Sequence, residues 1–331
     1  VVFVQGAIPG DRVRAVVTKR KRDYAEARTL EVLEPGPDRI APVADHPGAP
    51  WQILPYERQL EVKQEQVGDA LRRLGRLEGF ELEPIIPATE QWRYRNKLEY
   101  SFGTDDDGEL VCGFHAPGSW ERILHIDDCL LASERGNELR RLALAACREQ
   151  GLGAYDRRTQ VGFLRNLVVR EGRRTGQEQV RLVTSPGDFD AEAFAVALGE
   201  VQSVIWTQAA GVGETTQGGH DELISGTPRI EEEVAGLRFA LSSEAFFQTN
   251  TEMAEVLYGV AGEYAALGGF ERVYDLCCGI GTIGLTLASR AAEVLGVEIV
   301  PDAVEDAAFN ARMNEISNAR FVAGDVRVVL K

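Results

Sequence analysis

Residues 273–288 read Val273-Tyr-Asp-Leu-Cys-Cys-Gly-Ile-Gly-Thr-Ile-Gly-Leu-Thr-Leu-Ala288 and decide the fold of the surrounding chain. Residues 273–276 predict a buried strand, the glycines that follow predict a turn, and the residues from Thr282 onward predict a helix. A second apolar run, residues 294–297, ends on Glu298. The sequence therefore predicts a β-α-β unit with a carboxylate at the tip of its second strand.

This unit has the features of a nucleoside-cofactor site. Gly279 and Gly281 let the backbone approach a ligand closely, the start of a helix offers N–H groups, and Glu298 can accept two ribose hydroxyls. With Gly284, the two glycines also satisfy the G-x-G-x-x-G pattern of dinucleotide-binding proteins. Both S-adenosylmethionine (SAM) and NAD therefore enter as candidate cofactors.

Three features favour SAM over NAD. Asp275, just before the turn, can receive the methionine ammonium group, whereas in an NAD site it would face the pyrophosphate. The unit lies late in the chain, whereas dinucleotide folds usually open with it. Asp325 ends a third apolar run and suits the adenine amino group. An NAD-dependent oxidoreductase and a β-α-β crossover without a ligand remain as alternatives.

Composition limits the function classes. The 331 residues suffice for two or three domains, and the net charge of −16 argues against non-specific coating of nucleic acid but leaves room for a local basic groove. No apolar run approaches the roughly 20 residues of a membrane span. The five cysteines lack framework spacing, which predicts a reducing, cytoplasmic location. We expect a monomer.

Upstream of the cofactor unit, the pattern predicts three regions. Residues 1–38 alternate like the strands of a small antiparallel β-barrel and are rich in arginine and lysine, which suits RNA-backbone contact or a solvated face. Residues 39–56 form a predicted loop. Residues 57–235 predict an α+β domain whose first helix, over 57–77, packs on the cofactor domain of residues 236–331.

Residues 91–102 of this central domain mix cations with aromatics. We predict a strand that carries Arg93, Arg95 and Lys97 on one face, a composition that suits phosphates and stacked bases. A half-buried strand without RNA would show the same alternation. His115 and His125 have no partner at metal-ligand spacing, so we expect surface or hydrogen-bonded histidines.

Several motifs together resemble the RNA uracil-C5 methyltransferase family, whose members act on tRNA or on large-subunit rRNA. Near the cofactor unit they are Phe246-Phe-Gln-Thr-Asn250, Asp275-Leu-Cys-Cys-Gly-Ile-Gly-Thr282, Gly296-Val-Glu298 and Asn310-Ala-Arg-Met-Asn314. Upstream they are Tyr94-Arg-Asn-Lys97, a hairpin from Gly113 to Cys129, and Phe163-Leu-Arg-Asn-Leu-Val-Val-Arg170. Residues 1–35 are similar to the family's TRAM module, a small RNA-binding barrel.

The resemblance implies a multidomain α/β protein: a TRAM/OB-like β-barrel, a central α+β domain that binds RNA, and a Rossmann-like SAM domain. It also implies cofactor contacts. Gln248 matches a glutamine that contacts SAM, Glu298 a ribose ligand and Asp325 an acid near the adenine. Thr282 matches a further cofactor position, and Cys277 stands where the family usually has an aromatic residue. The substrate is then rRNA, which we favour, or tRNA.

The family's chemistry needs more than a cofactor site. A cysteine in a Ser-Cys-Asn-Pro-like motif attacks uracil C6, and a later glutamate acts as base. Neither motif occurs here, so we expect a partial chain, with a truncated and inactive SAM domain, whose nucleophile and base lie after Lys331. Cys277 and Cys278 belong to the cofactor turn. The alternative is a noncatalytic RNA-binding protein that retains the fold.

Many family members also hold an iron–sulfur cluster on four cysteines. Here Ala41, His46 and Ala49 occupy the region of the first three ligands, and only Cys129 matches the fourth. One thiolate cannot hold a cluster, so we predict that the cluster is absent and that Cys129 is a remnant ligand position.

Overall fold

A computed structural model describes residues 1–44, 46–119, 121–211, 213, 216 and 218–330. The chain divides into two compact units, Val1–Gln91 and Trp92–Lys331. The finer boundaries predicted at residues 38, 56 and 235 stay predictions.

The first unit begins with a three-stranded sheet in the order β1-β3-β2. Its strands are β1 (Val2–Gln5), β2 (Arg12–Arg20) and β3 (Ala25–Glu34), all within the region 1–38 where strands were predicted. The predicted all-antiparallel pairing is wrong for β1, which runs parallel to β3, whereas β2 pairs antiparallel with the other edge of β3. Because β3 is parallel to β1 and antiparallel to β2, the strands β1 and β2 run in opposite directions. A closed barrel stays a prediction.

A buried ion pair fixes the loop that leaves this sheet. Asp11, whose side chain is fully buried, lies 2.6 Å from the Arg39 guanidinium and accepts backbone N–H groups of Ile8 and Gly36. Helix α1 (Tyr56–Asp69) follows and continues as a π-helical turn over Ala70–Leu74. The predicted helix is thus confirmed to within a few residues, while its packing on the cofactor domain stays a prediction.

The second unit is built on a seven-stranded sheet in the order β10-β9-β8-β7-β4-β5-β6. The strands are β4 (Lys97–Thr104), β5 (Leu110–His115), β6 (Ile123–His125), β7 (Leu164–Glu171), β8 (Glu178–Thr184), β9 (Ser203–Gln208) and β10 (His220–Gly226). Neighbours are antiparallel except β8 and β9. Helices α2 (Glu134–Glu149) and α3 (Ala191–Leu198) pack on this sheet, burying Tyr100, Leu139 and Phe194 in a shared core. The predicted α+β character is confirmed.

The predicted strand over residues 91–102 is wrong for its first half, because β4 begins only at Lys97. Arg93 has a positive φ of 55°, and its N–H donates to the Leu130 carbonyl. The N–H of Asn96 donates instead to the Thr249 carbonyl. The backbone therefore bonds to two separate segments, and the three cations do not line one strand face.

The cofactor unit follows a β-hairpin, β11 (Ile230–Val234) and β12 (Leu237–Leu241), and helix α4 (Thr251–Ala265). Strands β13 (Arg272–Leu276), β14 (Glu293–Glu298) and β15 (Ala319–Ala323) form a parallel sheet in that order. Helix α5 (Thr282–Leu287) joins the first two strands, α6 (Pro301–Met313) joins the next two, and α7 (Val326–Val329) comes last. The predicted β-α-β unit is confirmed, but the predicted burial of its first strand is wrong, since β13 is an edge strand of this sheet with Tyr274 and Leu276 exposed. Among the described residues, every helix is too short or too polar to cross a bilayer.

Candidate cofactor site

The carboxyl ends of β13 and β14 bring the predicted site residues together. Asp275 pairs in register with Gly296, so Asp275 and Glu298 approach the same edge of the sheet. The N–H groups of Cys277 and Cys278 both donate to the Val297 carbonyl, at 2.8 and 3.2 Å. The glycine turn is therefore bonded directly to the tip of the neighbouring strand.

The two turn glycines, Gly279 and Gly281, have different structural roles. Both have positive φ values, 55° at Gly279 and 83° at Gly281, which disfavour residues with a side chain. A Cβ on Gly279 would meet nothing within 4 Å, whereas a Cβ on Gly281 would lie 3.0 Å from the Phe321 ring. Gly281 thus permits close packing under α5, while Gly279 leaves an open face that a ligand can approach.

Glu298 is held in place by backbone donors. Its Oε2 accepts the N–H of Gly279 at 3.0 Å, and its Oε1 accepts the N–H groups of Ile299 and Val300 at 2.7 and 3.1 Å. The carboxylate is half-buried. A carboxylate fixed in this way presents its remaining lone pairs in a constant direction, which suits recognition of a diol.

Asp275 lies on the other side of the turn. Its Oδ2 accepts the N–H of Gly284 in α5 at 2.8 Å. Burial raises the pKa of Asp275, and the nearby Glu298 carboxylate raises it further. A cationic ligand group would offset both effects by favouring the ionised form. The two acids on either side of the open glycine turn would therefore suit a ligand that carries both a cationic group and hydroxyl groups.

Gln248 enters from the segment between β12 and α4. The side-chain amide of Asn96 donates to the Gln248 carbonyl at 2.8 Å and to Thr251 Oγ1 at 2.9 Å. Arg170 of β7 donates to the Ala245 carbonyl at 2.6 Å. The central sheet therefore anchors the backbone that carries Gln248.

Comparison with known proteins agrees with this geometry. A methyltransferase-domain family model matches residues 270–331. An uncharacterised RNA methyltransferase of Bacteroides thetaiotaomicron is 36% identical over all of this chain and 78% of its own length. One from Halalkalibacterium halodurans is also 36% identical, over 99% of this chain and 73% of its own length.

A solved structure gives the specific family. The tRNA (uracil-54, C5)-methyltransferase of Pyrococcus abyssi, in complex with S-adenosyl-L-homocysteine, has a TM-score of 0.80 at 25% identity. The match covers 97% of this chain and 74% of the archaeal one. The chain belongs to the SAM-dependent RNA uracil-C5 methyltransferase family. Its residues fit the family's cofactor, since the open face at Gly279 lies between a half-buried acid, Asp275, and the fixed carboxylate of Glu298.

Three further cofactor positions predicted from the family resemblance differ in their exposure and hydrogen-bond partners. Thr282 Oγ1 accepts a hydrogen bond from the Tyr258 hydroxyl at 3.4 Å. Cys277 is exposed and has a positive φ of 62°. Asp325 caps α7 by accepting the Arg327 N–H at 2.8 Å, and it also pairs with the Arg327 guanidinium. Any adenine contact by Asp325 must therefore compete with Arg327.

Two of the three cations predicted to meet RNA, Arg93 and Lys97, form ion pairs within the protein. Arg93 binds both carboxylate oxygens of Asp128, at 3.1 and 2.7 Å. Lys97 Nζ lies 2.6 Å from Glu99, and burial lowers the pKa of Lys97. Arg95 forms an isolated β-bridge with Asn250. RNA contact by these residues stays a prediction.

Cys129, at the position of the fourth cluster ligand, is buried in the core of the second unit. The Asn137 side chain bonds to both the N–H and the carbonyl of Cys129. Among the residues that the structure describes, no three histidine, cysteine, aspartate or glutamate side chains group as metal ligands do. The predicted absence of a cluster stays a prediction.

The sequence reasoning missed Asn96 and Arg170 as anchors of the cofactor segment. Both lie in motifs that carry the family resemblance, Tyr94-Arg-Asn-Lys97 and Phe163-Leu-Arg-Asn-Leu-Val-Val-Arg170. Asn96 is 4% exposed and Arg170 is 2% exposed. Arg170 carried an available signal, since it follows the apolar run 167–169 in a strand and buried polar residues need a bonding partner. Asn96, between Arg95 and Lys97, carried no such signal.

Proposed function

We propose that the protein methylates C5 of a uridine in RNA. One observation carries this proposal: the open glycine turn between Asp275 and Glu298, in a chain of the RNA uracil-C5 methyltransferase family. Bound SAM supplies the methyl group. The choice between rRNA and tRNA is open to experiment: the sequence favours rRNA, whereas the archaeal relative acts on tRNA.

The roles of the site residues follow from their surroundings. Glu298 accepts the ribose hydroxyls, since its carboxylate is already oriented by three backbone N–H groups. Asp275 pairs with the methionine ammonium group, which compensates its burial. Gln248 contacts the cofactor from the segment that Asn96 anchors. Thr282 and Cys277 line the turn, and Asp325 meets the adenine.

The reaction also needs activation of uracil, because C5 is a poor carbon nucleophile. A cysteine thiolate adds to C6, C5 then attacks the methyl group, a base removes the C5 proton, and the thiolate leaves. In the family these roles belong to a cysteine in a Ser-Cys-Asn-Pro-like motif and to a later glutamate, and residues 1–331 contain neither motif. Cys278 is unsuited to the role, since burial raises the pKa of its thiol to about 12 and the thiolate is the reactive form.

Methyl transfer from labelled SAM to unmodified RNA tests the proposal. The full-length protein is incubated separately with rRNA and with tRNA, and the product nucleoside is identified and mapped by mass spectrometry. We expect 5-methyluridine at a defined position in one of the two RNAs. RNA binding without methyl transfer would support the noncatalytic alternative instead.

A further inference from the structure

A pocket of about 250 Å³ lies in the second unit, away from the glycine turn. It is bordered by β4, by His115 at the end of β5, by residues 154–158, and by Arg165 of β7. The cofactor chemistry uses none of these residues. Of the residues that the structure describes, the pocket walls carry three arginines, Arg157, Arg158 and Arg165, and two carboxylates.

Arg165 gives the pocket a fixed, charged wall. Its guanidinium lies 4.0 Å from the centre of the Tyr155 ring, in a cation–π contact. It also donates to Ser185 Oγ at 3.1 Å and to the Gly211 carbonyl at 2.6 Å. Arg165 is only 5% exposed, and within the described part of the chain its bonding partners are all uncharged. A guanidinium packed on an aromatic ring favours a further planar group stacked beside the pair.

The other charges of the pocket leave this preference in place. One of the two carboxylates, Asp156, accepts the N–H groups of Arg158 and Thr159 within its own loop, which satisfies part of its bonding capacity. The other is Glu121, at the exposed rim. Arg157 is half-buried, and burial together with the charge of Arg165 lowers the pKa of Arg157. Arg157, which has a further interaction within the chain, thus lies near Arg165 in the pocket wall, and Arg158 is exposed beside them.

Strand β7 links the pocket to the segment between β12 and α4 that carries Gln248. Arg165 and Arg170 belong to the same strand, β7, and Arg170 bonds to Ala245 in the segment that carries Gln248. Five strand residues span about 17 Å. The pocket therefore lies within reach of a polynucleotide whose target base enters the cofactor site.

We propose that this pocket binds one unpaired nucleotide of the substrate RNA, near the uridine that is methylated. The proposal rests on the proposed function, since it presumes an RNA substrate. The base stacks against the Arg165–Tyr155 pair, and the adjoining phosphates meet Arg157 and Arg158. Single-stranded RNA is recognised in this way, through stacking on aromatic or guanidinium planes and cationic contact with the backbone.

The test compares RNA affinity between pocket variants and a matched control, using the full-length protein. The pocket variants are R157A/R158A and Tyr155→Leu. The control is Arg141→Ala, which removes an exposed cation from α2. We expect the pocket variants to raise the RNA Kd about tenfold, the size of one lost stacking or ionic contact. The SAM Kd should stay within about twofold of the wild-type value.

Salt dependence and a base probe sharpen the test. R157A/R158A should flatten the slope of log Kd against log salt concentration by about one to two, because two phosphate contacts are lost. A 2-aminopurine placed next to the target uridine should change fluorescence on binding the wild type, and less on binding Tyr155→Leu. Thermal unfolding of each variant separates lost binding from lost folding, and Arg158→Ala alone alters only an exposed side chain.

Two negative results have different meanings. If the wild type methylates uridine but the pocket variants bind RNA as Arg141→Ala does, the pocket proposal is overturned and the proposed function stands. If the wild type neither binds nor methylates RNA, the proposed function fails first. Binding of a free mononucleotide with unchanged RNA affinity would also overturn the pocket as an RNA subsite.

Discussion

The anchoring of Gln248 by Asn96 makes a quantitative prediction. Asn96→Ala removes two side-chain hydrogen bonds, to the Gln248 carbonyl and to Thr251. Each contributes about 1 kcal/mol, and the buried carbonyl left without a donor adds a similar cost. We expect the free energy of unfolding to fall by about 2–3 kcal/mol. Because Thr251 still donates to the buried Glu232, the start of α4 should stay folded.

The same substitution should weaken cofactor binding. If holding Gln248 in its cofactor-binding conformation costs roughly 1.4 kcal/mol more in the variant, the apparent Kd for SAM rises about tenfold. Isothermal titration calorimetry measures this Kd, and a denaturant titration measures stability. In a Gln248→Ala background, Asn96→Ala should have little further effect on the Kd, since the contact it positions is already gone.

Asn318→Ala is the matched control. Its amide donates to the carbonyls of Ala288 and Ala291, both at 2.9 Å, at the amino end of the parallel strands and opposite the glycine turn. It should lower stability comparably and leave the SAM Kd unchanged. Equal SAM affinity in Asn96→Ala and Asn318→Ala would refute the positioning of Gln248 by the central sheet.

Four further predictions concern other parts of the chain. Gly281→Ala places a Cβ 3.0 Å from Phe321 at a positive φ, so a denaturant titration should show a loss of about 1–3 kcal/mol; Gly153→Ala, which meets nothing within 4 Å, should change stability little. Glu298→Ala leaves three backbone N–H groups without their acceptor and should raise the S-adenosylhomocysteine Kd at least about tenfold in calorimetry; an unchanged Kd would remove Glu298 from the ribose site. Arg39 lowers the pKa of Asp11, so ionised Asp11 stabilises the fold above its unfolded pKa of about 3.9. The difference in melting temperature between wild type and Asp11→Asn should therefore narrow as pH falls below about 4. A difference that stays constant with pH would contradict this. Metal analysis of the purified protein should give far fewer than about four iron atoms per chain, and a value near four would refute the predicted loss of the cluster.

Elements with a strong hydrophobic period were predictable from sequence. Strand β13, helix α5 and strand β14 begin within one residue of their predicted starts, because apolar runs and a glycine turn mark them in the sequence. Strand β10 was not predicted: its residues are mostly exposed and polar, and it is held by pairing with β9 rather than by burial. Edge strands of this kind carry little signal in the sequence pattern.

The cofactor turn was predictable because its chemistry is local. Asp275, the glycines and Glu298 lie within a single β-α-β unit, so the periodicity alone brings them together. The anchoring of Gln248 was not predictable from sequence, since Asn96 and Gln248 lie 152 positions apart. The strand predicted over residues 91–102 was wrong in its first half, because the alternation gives no sign of the positive φ at Arg93.

The central claim is methylation at uracil C5, and release of tritium from that carbon tests it most directly. The full-length protein is supplied with SAM and with RNA whose uridines carry tritium at C5. Because the C5 proton must leave for the methyl group to stay, we predict tritium release to water equimolar with methyl transfer. Methyl transfer without tritium release would place the reaction at another atom and contradict the account.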